Sequence, residues 1–243
     1  LVAIETQDLA VLGVDDIGAL SPTQLAAFSV AQLVSLSTAQ WDAISTAQIA
    51  GLKPTQIAAI EAADFAVLGT EGVAALNAAQ LAALTTAQLS VIDLSNFTSA
   101  QIAGLKTKQV IALSTAQFDA LTTAQIAALT AAQMGVIETR DLAVFGASEI
   151  AALTVAQLGG LKPEQVSSLS TGQWDAMTTA QIAGLQSAQL VAMETRDLAV
   201  LFADSLSAFT AVQLGSLTTA QMAGLNVSGL TTSQLLGLKS QQV

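Results

Sequence analysis

The chain has 243 residues, a net charge of −11 and only seven Lys or Arg; it is 52% hydrophobic but only 4% aromatic. So few cations leave no basic stripe to displace counterions from phosphates, which argues against nucleic-acid binding and against docking on an anionic membrane surface. Cys and His are both absent, so disulfides, thiolate metal sites, His-ligated haem and His-based general-base catalysis are excluded.

The mean hydropathy of +0.61 comes largely from Ala and Leu. Thr or Gln interrupts the apolar residues in nearly every stretch of eight, so no membrane span is expected. No basic n-region of a secretory signal is visible. The sequence starts at Leu1 rather than Met, which suggests a processed form or a piece of something longer.

In chain order, an apolar anchor recurs every eight residues from Leu20 through Phe28, Leu36, Ile44, Leu52, Ile60, Leu68, Leu76 and Leu84 to Ile92. A second register runs from Leu105 through Leu113, Leu121 and Leu129 to Leu217 and Leu225. With the anchor as position one, position two is usually Ser or Thr, position five Gln and position six apolar. Ser/Thr-x-x-Gln is the signature of a capping box, in which the hydroxyl accepts from the N3 amide and the Gln reaches back to the cap amide. Ser37/Gln40, Thr85/Gln88, Ser114/Gln117, Thr122/Gln125 and Thr218/Gln221 are such pairs.

All three prolines, Pro22, Pro54 and Pro163, fall at position three. That is the first helical slot, where a missing donor costs nothing. Lys53 and Lys162 stand at the cap position of two of those units, although Lys does not cap. Strands fit worse, because positions one and six differ by odd intervals and would face opposite sides, and Ala disfavours strands. One continuous helix also fits worse, because cap residues every eight positions lower helicity and proline costs roughly 3 kcal/mol inside a helix. The sequence therefore predicts an all-α solenoid of very short helices, one per octad, with positions one and six filling its axis.

Residues 1–110 align without a gap with 134–243, at an offset of 133. Glu5 matches Glu138, Trp41 matches Trp174 and Lys106 matches Lys239. The long repeat is sixteen octads and one pentad, the pentad lying between Ile92 and Phe97 and again between Leu225 and Leu230. A unit shortened at the same place in both copies is expected to reset the phase of the coil, as stutters do in coiled coils. No linker interrupts the chain, which reads as a single continuous array over 1–243, with copies 1–133 and 134–243. Neither end carries an evident polar capping unit, so the array is expected to continue or to stack on other copies.

The Gln position fails in adjacent pairs: Asp8 and Asp16, Asp64 and Gly72, Asp141 and Glu149, Asp197 and Ser205. The first of each pair sits in Glu-x-x-Asp, giving Glu5/Asp8, Glu61/Asp64, Glu138/Asp141 and Glu194/Asp197. One reading is a variant helix start, since carboxylates in a first turn suit the helix dipole. The other is a calcium site, because carboxylates suit a hard cation; no EF-hand or glycine-rich calcium loop supports it.

Trp41, Phe118 and Trp174 occupy position six, either as enlarged core residues or as lateral contacts, since aromatics are enriched at interfaces. In pairs such as Thr85-Thr86 and Thr178-Thr179, the first hydroxyl is expected to cap and the second to be solvated. Ser and Thr are plentiful, but no His is there to activate them, and no nucleotide-binding loop is present. No catalytic or cofactor-binding residue is expected, and an enzyme is not the expected reading.

The stretches Leu52-Lys-Pro-Thr-Gln-Ile-Ala-Ala-Ile and Leu161-Lys-Pro-Glu-Gln-Val resemble the opening of a TAL-effector repeat, without its base-reading pair or its period. The unit Leu-Thr-Thr-Ala-Gln-Ile-Ala-Ala more closely resembles the Ala/Thr/Gln-rich octads of very large bacterial secreted or surface proteins of adhesin-like type. That resemblance covers nearly every unit and implies an extracellular or cell-surface structural role, as a spacer or a subunit of a filament, sheath or surface layer. Self-association, or packing on neighbouring copies, is the partner expected. The alternative is a solenoid binding module for a protein or glycan, with calcium as its one candidate cofactor.

Overall fold

In the computed structural model, residues 4–242 are described. They form 27 α-helices and one 3₁₀-helix, with no strand among the described residues. Nearly all the helices have four to six residues, and the sequence explains why. A cap residue at position two takes an extended conformation, such as Ser37 at φ −73°, ψ 157°. The helix then runs for little more than a turn before the next extended pair. Among the described residues no non-glycine residue has positive φ, and Gly69 (φ 62°) is the one glycine that does. The link between helices is built from ordinary extended backbone, so the unit needs no glycine signature.

Helices this short have no independent stability in water, so packing must hold them. Positions one and six do this, as the periodicity predicts: Leu9, Leu25, Leu33 and Ile57 at position six and Phe28, Leu36 and Leu84 at position one are all buried. Burying one such side chain contributes roughly 1.5–3 kcal/mol.

The chain forms two compact units, Leu1–Leu121 and Thr122–Val243. Each is a solenoid. In the first, Val14–Gly18 packs on Thr38–Asp42, and Pro22–Ala26 on Thr46–Gly51. In the second, Thr123–Ala127 packs on Ala147–Ala152, and Pro163–Ser167 on Ser187–Ala192. Each partner lies three octads along, while side-chain bonds described below reach up to four octads back. One turn of the coil therefore takes between three and four octads. Successive turns touch so closely in places that only glycine fits: a Cβ on Gly184 would strike Val155 Cγ1, and one on Gly160 would strike the Ala131 carbonyl.

The eight-residue rule has one clear exception, the eleven-residue helix Thr195–Ser205. Here Phe202 stands where a cap belongs and Ser205 where Gln belongs.

The pentad does not reset the coil. It loses the three residues between the cap and position six, and with them one helix. Asp93 stays at the cap place and accepts the Ser95 N–H at 2.9 Å; this bond, with a second from the Ser95 hydroxyl, holds the Asp93 carboxyl below its usual range. Leu94 and Phe97 keep the buried places of position six and the next anchor. Across the pentad the inter-turn bonds shorten by three residues in sequence, from 28 and 31 to 25 and 28, as at Gln109 with Leu84 and Leu81. Gln109 and Gln117 still land on the same two positions of the unit below, whereas Gln101 reaches Ala74 and Leu76.

Inserting Thr-Ala-Gln between Asp93 and Leu94 would turn the pentad into Ile-Asp-Thr-Ala-Gln-Leu-Ser-Asn, a complete octad. The insertion is expected to fold with unchanged cooperativity and slightly greater helical ellipticity by circular dichroism, whereas Gly-Gly-Gly at the same place should lower the melting temperature.

Candidate functional site: the glutamine clip

Each pair named from sequence forms the expected capping box. Ser37 N–H donates to Gln40 Oε1 at 2.8 Å and Gln40 N–H to Ser37 Oγ at 3.3 Å. The pairs Thr85/Gln88, Ser114/Gln117, Thr122/Gln125 and Thr218/Gln221 match it. Pro22, Pro54 and Pro163 all sit at the first helical position.

The glutamine has a second task that the cap pattern does not reveal. Its Nε2 donates backward to two backbone carbonyls of the preceding coil turn, 31 and 28 residues earlier. Gln80 reaches Ile49 O at 2.9 Å and Leu52 O at 2.8 Å. Gln88 reaches Ile57 O and Ile60 O at 2.7 and 2.9 Å. In the second unit Gln173 reaches Leu142 O and Phe145 O at 2.8 and 2.9 Å, and Gln181 reaches Ile150 O and Leu153 O at 2.7 Å each.

In these cases the acceptors are the carbonyls of position six and of the next anchor, at the C-terminal end of a helix, where carbonyls run short of intrahelical donors; Gln56 and Gln101 instead pair the anchor with the position-seven carbonyls of Ala26 and Ala74. One amide thus serves an orphan N–H of its own helix and two carbonyls ending another. Gln80 and Gln109 are fully buried, and burial is tolerable because an amide has one acceptor atom and two donor hydrogens, all of them used.

This explains the lysines at cap positions. The backbone N–H of Lys53, Lys106 and Lys162 each donates to the following Gln Oε1 at 2.7 Å. The glutamine holds the helix start without a capping hydroxyl. The signal was present in the sequence: Lys53, Lys106, Lys162, Gln186 and Lys239 all replace the hydroxyl residue, yet each is followed three places on by Gln.

The acidic variants are helix starts. Glu5, Glu61, Glu138 and Glu194 are N-caps whose side chains make no capping bond. Asp8, Asp64, Asp141 and Asp197 stand where Gln would, and the last three are buried. Asp64 Oδ1 accepts from the Thr38 hydroxyl at 2.6 Å and Asp197 Oδ1 from Thr171 at 2.8 Å. Arg140 lies 2.9 Å from Glu138 and 3.6 Å from Asp141, and Arg196 repeats this with Glu194 and Asp197. Among the described residues no group of three or more acidic side chains comes together to hold a metal ion.

Trp41, Phe118 and Trp174 are buried core residues, and so do not form a lateral patch. Of the second threonines, Thr86 and Thr179 are exposed as expected, but Thr123 donates to Glu149 at 2.5 Å. A cavity of about 130 Å³ is lined by Phe65, Gly69, Val73, Val91 and Asp93 and offers a single carboxylate; a wider, open one of about 360 Å³, lined by Ser187, Val212, Ser216 and Lys239, offers none. Among the described residues no helix is long and apolar enough to cross a membrane.

Short helices, a two-residue apolar axis and a clip repeated from turn to turn define an all-α solenoid repeat protein. The ALTTAQ repeat model matches residues 1–37, 17–54, 57–91, 94–131, 134–171 and 190–227, which is most of the chain. The chain belongs to the ALTTAQ repeat family. A search of curated proteins finds no match.

The clip ranks the residues of the unit. Replacing Gln109 by Leu strands the Lys106 N–H and the Leu84 carbonyl, each costing about 1–3 kcal/mol when buried, and leaves the Leu81 carbonyl with the Leu84 N–H alone. Replacing Ser114 by Ala removes a cap bond alone, about 1 kcal/mol. Urea denaturation should therefore show Gln109→Leu at least twice as destabilising as Ser114→Ala; equal losses would contradict the ranking.

Proposed function

We propose that the chain is an extracellular structural repeat, acting as a spacer or as a subunit of a filament, sheath or surface layer, and that it is not an enzyme. The observation that supports this reading is the use made of the repeat's polar side chains. The recurrent hydroxyl and amide groups are spent on joining helix to helix and turn to turn, in an arrangement that extends by adding octads without redesign. Such quasi-one-dimensional arrays gain stability from nearest neighbours, which suits a part whose task is length. The acidic surface, with 18 Asp or Glu against seven Lys or Arg, favours solubility and keeps arrays from clumping. The likeness of the octads to adhesin-like bacterial surface proteins supports the extracellular and bacterial placement, with neighbouring copies of the same repeat as the natural partner.

The test is location and shape together. Immunogold labelling of intact producing cells is expected to decorate the exterior, and negative-stain images of purified protein to show elongated particles or fibres. Labelling confined to the interior of permeabilised cells, with compact particles in the images, would contradict the proposal.

A further inference from the structure

The glutamine ladder is broken at Gly72 in the first unit and at Ser205 in the second. Each break follows one octad after an aspartate that also stands in the glutamine place, Asp64 and Asp197. Neither Gly72 nor Ser205 has a side chain that bonds a cap N–H, and at both the extended cap conformation is lost. Gly69, at the place where Glu61 and Asn77 are extended caps, has φ 62°, and the helix Gly69–Ala74 starts directly behind Leu68, which is itself helical (φ −63°, ψ −13°). In the second unit Thr195–Ser205 runs on without a break. By contrast Asp16 keeps an acceptor, takes the Gly13 N–H at 2.8 Å, and the restart there survives.

The turn below each break is also altered. A glutamine at 72 would reach back 31 and 28 residues to Trp41 and Ile44, and one at 205 to Trp174 and Met177. These are the two tryptophans of the chain, both 1% exposed. Aromatic bulk thus coincides with the missing clip, and the fit is imperfect. Ser205, Trp174, Met177 and Ile182 line a cavity of about 10 Å³, and Trp41 Nε1 is buried with no acceptor. The bonds seen across these junctions are hydroxyl to carboxylate, Thr38 to Asp64 and Thr171 to Asp197, in place of paired amide donors to carbonyls.

We infer that these two places are built-in seams, where one turn of the solenoid opens from the next while the clipped turns stay closed. The inference rests on the fold and stands whether or not the chain is an extracellular spacer. Local opening sets amide hydrogen exchange, so the test is native-state exchange of the whole chain followed by mass spectrometry. Backbone amides of residues 68–75 are expected to exchange at least ~10-fold faster than those of 76–92, the effect of two lost hydrogen bonds. Residues 201–208 should do the same relative to 179–192. The combined variant Trp41→Leu, Gly69→Ser, Gly72→Gln should bring 68–75 down to the rate of its neighbours. Gln80→Gly in the otherwise native chain should carry fast exchange into 76–84, which keeps the idea testable if the triple variant does not fold. Uniform exchange across seams and clipped turns would overturn it, as would a folded triple variant that still exchanges fast at 68–75.

Discussion

The structure depends on one side-chain amide used in three directions. A helix of five residues leaves most of its backbone polar groups without intrahelical partners, and unpaired groups in a core are costly. The position-five glutamine meets that constraint from both ends. Its oxygen takes a donor at the start of its own helix, and its nitrogen supplies two carbonyls ending another. Because the acceptors lie 28 and 31 residues back, as with Gln165 on Ile137 and Met134, the capping of one helix is also the joining of two turns. Local and long-range order therefore come from the same residue.

The remaining features of the unit follow from this. The apolar axis can be thin, with two aliphatic side chains per octad, because the polar backbone beside it is satisfied. The hydroxyl at position two can be replaced by Lys, as at Lys53 and Lys106, because the cap amide still finds Gln56 and Gln109. The pentad can lose a whole helix, since Leu94 and Phe97 hold the apolar places and the next glutamines reach 25 and 28 residues back. Where glutamine itself is lost together with the cap, the extended link is lost too: the helix Gly69–Ala74 starts directly behind a helical Leu68, and Thr195–Ser205 runs on as one helix.

Much of this was legible in the residues. Ser37/Gln40 and its equivalents announce a helix start, the three prolines fix its phase, and positions one and six mark the buried axis. The number of units per turn was not legible, because it is set by how neighbouring turns stack, and octad spacing alone does not determine it. The backward reach of glutamine was hidden for a related reason. A capping box accounts fully for the residue on local grounds, so nothing in Thr85-Thr-Ala-Gln88 points 31 residues away. The pentad suggested a disturbed coil, because spacing shows a deletion but not which positions survive it. The partners of the Glu-x-x-Asp carboxylates were hidden as well, because charge alone cannot tell that Thr38 and Thr171 stand opposite Asp64 and Asp197.

The most direct test of the clip is the exchange of the glutamine side-chain amides themselves, followed by NMR with selectively labelled glutamine. Gln80, Gln88 and Gln181 donate both Nε2 hydrogens to buried carbonyls, whereas Gln24 is exposed. The Nε2 protons of the first three are expected to exchange on the timescale of the core backbone amides, and those of Gln24 at the rate of free glutamine. Exchange of all four at the free rate, in a chain that remains folded, would contradict the account.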